Sequence, residues 1–232
     1  MLELLINKDA NKTTILLLKN GILIEKHEEY ETKKRLEGNI YIGKVQNVVQ
    51  GMESAFVDIG ESRNTFIRLK DLLPKENETV VGTHNCALKE QTNIKDIVKP
   101  GQYITLQVRK DGTENKGARV STHINLSGRF TVYMPNSNFI TVSQKIEDEK
   151  ERQRLIQVVK KILPKDTGAI IRTSAKGKTD EILSKDLKEL IKKWEKIVGA
   201  HDCAQFKKPK LIYDNRALLR RTVIDIIDAR IN

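Results

Sequence analysis

The sequence predicts an α+β protein in which a small β-barrel is followed by a mixed region of helices and strands. Three observations carry that expectation. Between residues 38 and 73 apolar and polar side chains alternate at period two, which puts Ala55, Val57 and Ile59 on one strand face and Thr65, Ile67 and Leu69 on another. After Pro135 the period lengthens to that of a helix, first through Leu155, Val158, Val159 and Ile162, then through Leu183, Leu187, Leu190, Ile191, Trp194 and Val198. Near the start, Asn20-Gly21 separates two strand-like runs by two residues, the strongest short hairpin signal a sequence carries.

Residues 2–6, 13–18 and 22–26 therefore read as strands, the last two joined by the hairpin, so that an antiparallel edge opens the chain. A charged connector over 28–37 leads to barrel strands that begin near Asn39. The polar stretch 75–96 reads as a loop or short helix with an excursion. Lys99-Pro-Gly101 then turns the chain into a strand over 102–109, and the cluster from Asp111-Gly112 to Lys116-Gly117 forms a turn able to bring a lysine to the barrel rim. Glu147, Asp148, Glu149 and Glu151 occupy the start of the first long helix, where acidic groups complement the helix dipole, and Pro164 ends it. A short strand over 169–172 precedes a second helix, which Thr179 can cap and in which Asp180 and Glu181 fill the first turn. The stripe through that helix assigns Trp194 to the core. A strand over 210–213 and a helix over about 215–228 close the chain.

With 232 residues the chain can bury a core in one large domain or in two to three subdomains. Lys plus Arg number 42 against 31 Asp plus Glu, and the resulting net charge of +11 suits a polyanionic partner. The first residues have no basic segment followed by an apolar stretch, and the sequence has no run of about 18 apolar residues, so neither a signal peptide nor a membrane span is expected. The expected location is cytoplasmic. Cys86 and Cys203 stand far apart, and His27, His84, His123 and His201 are scattered, so no zinc-type spacing is present and no metal site is expected in this chain.

Two aromatic rings break the barrel pattern. Phe56 falls between Ser54 and Asp58, and Phe66 between Asn64 and Arg68, each on the polar face of its strand. A five-stranded barrel of the OB type uses rings so placed as platforms for unpaired bases, at about 1 to 3 kcal/mol per base. Lys44 on the preceding strand is placed to supply a phosphate contact. Alternation by itself is equally compatible with half-buried cross-strand packing of the two rings.

The order Asn39-Ile-Tyr-x-Gly-Lys-Val45, Ala55-Phe-Val-Asp-Ile-Gly60 and Phe66 resembles the RNA-binding OB module of bacterial endoribonucleases of the ribonuclease E/G family. The likeness continues through Asn93-Ile-Lys-Asp96, Gly101-Gln102, Asn115-Lys-Gly-Ala118, Leu126-Ser-Gly128 and Met134-Pro-Asn136. It then runs through Ser143, Ile146-Glu147, Gly168, Arg172-Thr173, Gly177-Lys178, Asp186-Leu187 and Trp194, and so covers essentially the whole chain. It implies four segments: residues 1–37 as the first part of a split ribonuclease-H-like subdomain, 38–125 as an inserted OB-fold RNA-binding domain, 126–205 as a small α/β subdomain that senses an RNA 5′-phosphate, and 206–232 as the second part of the ribonuclease-H-like subdomain. It also implies single-stranded RNA as the partner, bound by Lys44, Phe56, Phe66 and Lys116, and a 5′-monophosphate pocket framed by Val132, Arg172 and Thr173. Many family members carry an arginine directly after the serine matching Ser143, where this chain has Gln144 and then Lys145.

Residues 174–179, Ser-Ala-Lys-Gly-Lys-Thr, superficially suggest a polyphosphate loop. That loop needs a glycine five positions before Gly177, and Arg172 stands there instead. A single phosphate fits better: Arg172 offers a planar fork, Thr173 a hydroxyl, and Lys176 and Lys178 lie at a helix start.

Magnesium-dependent hydrolysis of RNA requires paired carboxylates. Asp214, Asp225 and Asp228 qualify by residue type only, and helical neighbours explain the last two as a solvated face. The family resemblance places the magnesium-binding carboxylates in a later catalytic domain, a separate or downstream partner, and implies that this chain stops short of it and of the last ribonuclease-H-like strand. The expectation is a truncated substrate-recognition region that takes no cofactor of its own. The alternative is a stand-alone RNA-binding protein without a nuclease role.

Overall fold

The computed structural model describes residues 2–30, 35–72, 93–199 and 207–215. They fall into two compact units, one ending at Leu36 and the other spanning Glu37–Asn215.

The first unit is a three-stranded antiparallel meander of β1 (Leu2–Asp9), β2 (Lys12–Lys19) and β3 (Ile22–Tyr30). Asn20 and Gly21 both adopt positive φ, 52° and 77°, which matches the twist of the flanking strands and closes the hairpin that this dipeptide signals. Ile15 and Leu17, on one face of β2, are buried. All three strands run further than the sequence pattern predicts, because ladder pairing carries polar residues such as Lys12, Lys19 and Glu28 into the sheet.

The second unit opens with a closed barrel. Its strands are β4 (Ile40–Val49), β5 (Ser54–Asp58), β6 (Thr65–Arg68), β7 (Tyr103–Lys110) and β8 (Arg119–Ser121). They pair in the order β4-β5-β6-β8-β7, and β7 returns to β4. The pairing of β6 with β8 is parallel and the others are antiparallel, which is the five-stranded OB-type arrangement. Val45, Ala55, Val57, Ile67, Leu106, Val108 and Val120 fill the interior. Gly43 lets β4 coil around that core: a methyl group there would lie 2.6 Å from Val57 Cγ1 and 3.0 Å from Leu106 Cδ1. Two one-turn helices, α1 (Leu69–Leu72) and α2 (Ile94–Ile97), flank the barrel.

Beyond the barrel, β9 (Leu126–Ser127), β10 (Thr131–Met134), β11 (Ile140–Val142) and β12 (Gly168–Ile171) form a mixed sheet in the order β11-β12-β10-β9. Helices α3 (Glu149–Ile162) and α4 (Asp180–Gly199) bury their apolar stripes against it, with Leu155, Val159, Leu183 and Leu187 meeting Tyr133, Val142, Ala169 and Ile171 in one core. Asp148 caps α3 by accepting from Lys150 N at 3.0 Å. Trp194 packs against this core as expected. In the last turn of α4, however, Ile197 is buried and Val198 is 45% exposed, so the stripe steps inward by three residues from Trp194 rather than four.

The strand over 210–213 forms as predicted, β13 (Lys210–Tyr213), and pairs antiparallel with the first half of β4. The excursion after Leu72 and the closing helix fall outside the described residues, as do Cys86, Cys203, Asp225 and Asp228.

Candidate nucleic-acid interface

The outer face of the barrel follows from strand register. Phe56 and Phe66 stand directly opposite each other across β5 and β6, on the face away from Ala55, Val57 and Ile67. Both rings are half-buried, so each keeps part of its surface on the outside of the barrel. The Arg68 guanidinium lies 5.9 Å from the centroid of Phe66, within range of a cation–π contact. In the OB arrangement these are the second and third strands, the face on which oligonucleotides are read.

A β-bulge on β4 widens this face. Val45 pairs with Val57 and Asn47 with Phe56, so Gln46 is the extra residue, and both amides are exposed beside one ring. Lys44 stands opposite Asp58, two residues along β5 from Phe56. Lys116 is exposed at a turn closed by Thr113 N donating to Lys116 O at 2.8 Å and by Lys116 N donating to Thr113 O at 3.2 Å. The turn sits tight against the start of β6, because Phe66 N donates to Ala118 O at 3.0 Å and Gly117 lies against the Asn64 carbonyl. The four barrel residues picked out by sequence thus lie on or beside one surface. Arg119 anchors its far edge through a bidentate pair with Asp71, 2.8 to 3.0 Å.

A second cluster forms at the end of β12. Arg172 is extended, with φ −80° and ψ 161°, and continues the outer-face parity of Ile170. Its N–H donates to Phe130 O at 2.9 Å and its Nη1 donates to Gly128 O at 3.2 Å. The Thr173 hydroxyl bonds the Ser143 hydroxyl at 2.8 Å, and the Ser174 hydroxyl donates to Arg129 O at 2.8 Å. Val132 pairs with Ile170 and Ser127 on the same open face. Arg172 and Thr173 are therefore held together at one corner of the sheet, with Val132 on the sheet surface behind them.

The following turn is bound from behind. Glu151 accepts from Arg154 Nε and Nη2, both at 2.8 Å, and from Gly177 N at 2.9 Å, while Arg154 also pairs with Asp180 and donates to Lys178 O at 2.9 Å. The Arg154 guanidinium, seconded by the Gly177 N–H, holds the Glu151 carboxyl down at about 2. The Gly177 amide that a polyphosphate loop would turn toward its ligand is thus already committed to a carboxylate.

Sequence reasoning missed Gly128, Ser174 and Asp186 as parts of this corner. Gly128 and Asp186 stood out only as matches to the family pattern, without a role. Among the described residues no three His, Cys, Asp or Glu side chains gather as a metal-binding group. Among them, too, no helix is long and apolar enough to cross a membrane.

Residues 125–232 match the Ribonuclease E/G family. Over 233 residues the chain is 37% identical to Ribonuclease G of Salmonella typhimurium (strain SL1344) and to that of Escherichia coli (strain K12), covering 99% of this chain and 46% of each relative. It is 34% identical over 196 residues to Ribonuclease E of Nostoc sp. (strain PCC 7120), covering 84% of this chain and 27% of the relative. The chain spans about half the length of the ribonuclease G relatives it matches. On the strength of the sequence match, with a closed OB-type barrel behind it, the chain belongs to the ribonuclease E/G family.

Proposed function

We propose that this chain binds single-stranded RNA and recognises its 5′-monophosphate, as the substrate-binding part of a ribonuclease E/G-type endoribonuclease that acts in RNA processing and decay. The observation that carries the reading is the Phe56–Phe66 pair, set directly opposite each other on the outer face of the second and third barrel strands. Two bases stack on the rings, Lys44, Arg68 and Lys116 neutralise the phosphates between them, and binding tolerates many sequences because every base offers a flat face. Arg172 and Thr173 take the terminal phosphate. Anchoring Arg172 Nη1 on the Gly128 carbonyl orients the guanidinium plane, so little side-chain entropy remains to be lost on binding. Hydrolysis belongs to magnesium-binding carboxylates of a catalytic domain, and no residue among those described is assigned to that step. In this reading residues 38–125 are the RNA-binding domain, 126–205 the phosphate-sensing subdomain, and the two flanking segments the ribonuclease-H-like part.

Replacing both rings, Phe56→Ala with Phe66→Ala, tests the barrel. At a minimum of about 1 kcal/mol per stacked base the double variant binds a short single-stranded RNA roughly 30-fold more weakly, read by fluorescence anisotropy. Near-unchanged affinity in a folded double variant overturns the reading. For the pocket, a 5′-phosphorylated oligonucleotide binds more tightly than its 5′-hydroxyl twin, and Arg172→Ala removes the difference. Equal affinities in the wild type rule the pocket out.

A further inference from the structure

Residues 128–131 form a turn whose polar backbone groups are divided between two partners. On one side, the donors of residues 129–131 point at Asp186 of α4: Arg129 N at 3.0 Å to Oδ1, and Phe130 N at 3.1 Å, Thr131 N at 2.9 Å and the Thr131 hydroxyl at 2.8 Å to Oδ2. Three successive N–H groups converging on one point make a nest, a concavity that ordinarily holds an external anion, and here an internal carboxylate fills it. Gly128 permits the approach, since a methyl group there would stand 2.7 and 2.8 Å from the two Asp186 oxygens. On the other side, the carbonyls of residues 128–130 receive bonds from Arg172 and Ser174: Gly128 O from Arg172 Nη1, Arg129 O from Ser174 Oγ and Phe130 O from Arg172 N, while Gly128 N closes the turn on Thr131 O at 2.8 Å.

We propose that Asp186 is a positioning residue for recognition of the RNA 5′ end: by fixing the turn it sets the carbonyls that aim Arg172 at a terminal phosphate. The inference rests on the pocket reading above. A negative charge this close to a phosphate site is paradoxical on electrostatic grounds alone. It becomes intelligible once its oxygens are committed to four donors, so that its effect on the site is geometric. The two roles differ in sign. If Asp186 acted through its charge, Asp186→Asn would remove a repulsion and strengthen binding of a 5′-phosphate. If it acts through position, the same change weakens that binding, because the new amide nitrogen faces backbone N–H donors and the turn loses at least one of its anchors.

The test uses the full 232-residue chain and two 3′-labelled single-stranded RNAs that differ only in a 5′-phosphate or 5′-hydroxyl. The readout is the ratio of their affinities. In Asp186→Asn the ratio falls to within about 2-fold of that in Arg172→Ala, while affinity for the 5′-hydroxyl RNA, held by the barrel, stays at the wild-type value. A ratio kept or raised in Asp186→Asn, when Arg172→Ala abolishes it, overturns the role of Asp186. A wild-type ratio of one, or a ratio that survives Arg172→Ala, overturns the pocket reading instead. Should Asp186→Asn lose its cooperative melt, Thr131→Val and Ser174→Ala each remove one bond of the same bracket. Each is expected to lower the ratio at unchanged 5′-hydroxyl affinity, and an unchanged ratio in both overturns the proposal.

Discussion

Gly117 is the point at which the lysine-bearing turn meets the ring-bearing strand, and Gly117→Ala tests that junction. A methyl group built at Gly117 lies 1.9 Å from the Asn64 carbonyl oxygen and 3.0 Å from its carbon. Both are backbone atoms, so the clash cannot be relieved by a rotamer change; the turn must retreat by about 1.1 Å to bring the oxygen to 3.0 Å. Such a retreat strains or breaks the bond from Phe66 N to Ala118 O. Overpacking of this kind costs about 1 to 3 kcal/mol and a lost backbone hydrogen bond about 1 kcal/mol more, so the expected destabilisation is about 2 to 4 kcal/mol. At roughly 2 to 4 °C per kcal/mol for a chain of this size, the thermal midpoint read by circular dichroism falls by about 5 to 15 °C. Gly51 serves as the control. It has no atom of the described residues within 4 Å of a built methyl group, and Gly51→Ala is expected to stay within about 0.5 kcal/mol of wild type. The reasoning is refuted if the two alanine variants melt together.

Two further perturbations probe the frame around each site. Asp71→Ala strips Arg119 of its bidentate partner, a pair with 15% and 33% side-chain exposure, and should destabilise the chain by about 1.5 to 3 kcal/mol in urea titration, with Asp71→Asn recovering part of the loss. Glu151 gives a pH signature. Its carboxyl is lowered from 4.5 to about 2 by Arg154 and the Gly177 N–H, so it binds protons more weakly folded than unfolded. The stability it contributes is therefore fully present above about 4.5 and drains away as pH falls toward about 2. Glu151→Gln should lower the melting temperature at pH 7 and flatten its decline between pH 5 and pH 2.5 relative to wild type; parallel pH profiles would contradict the assignment.

Much of the barrel was legible in advance because alternation is a local property. A two-residue backbone period places Phe56 and Phe66 on polar faces whatever their strands pair with. That the rings face one another depends on the register of β5 against β6, and that Asn47 and Gln46 share their surface depends on a bulge with no signal in the residues themselves. The end of α4 shows the same limit. From Trp194, steps of three and four both satisfy a helical period, and packing against the sheet selects Ile197 over Val198. The corner at the end of β12 was half visible: residue type and family likeness marked Arg172 and Thr173, whereas Asp186 bonds backbone groups 55 to 57 residues away.

By itself the sequence determined the α+β class, the opening hairpin, the apolar and polar faces of the strands, both long helices, the basic charge and the family. Each follows from short-range periodicity, from turn chemistry or from the order of motifs. Tertiary structure alone decided which strands close the barrel, that β13 adds to β4, and that a carboxylate on α4 bonds the turn whose Gly128 carbonyl accepts from Arg172. Those outcomes depend on register and on hydrogen bonds across long loops, where the winning partner is chosen by how the whole core packs and not by its neighbours in the chain.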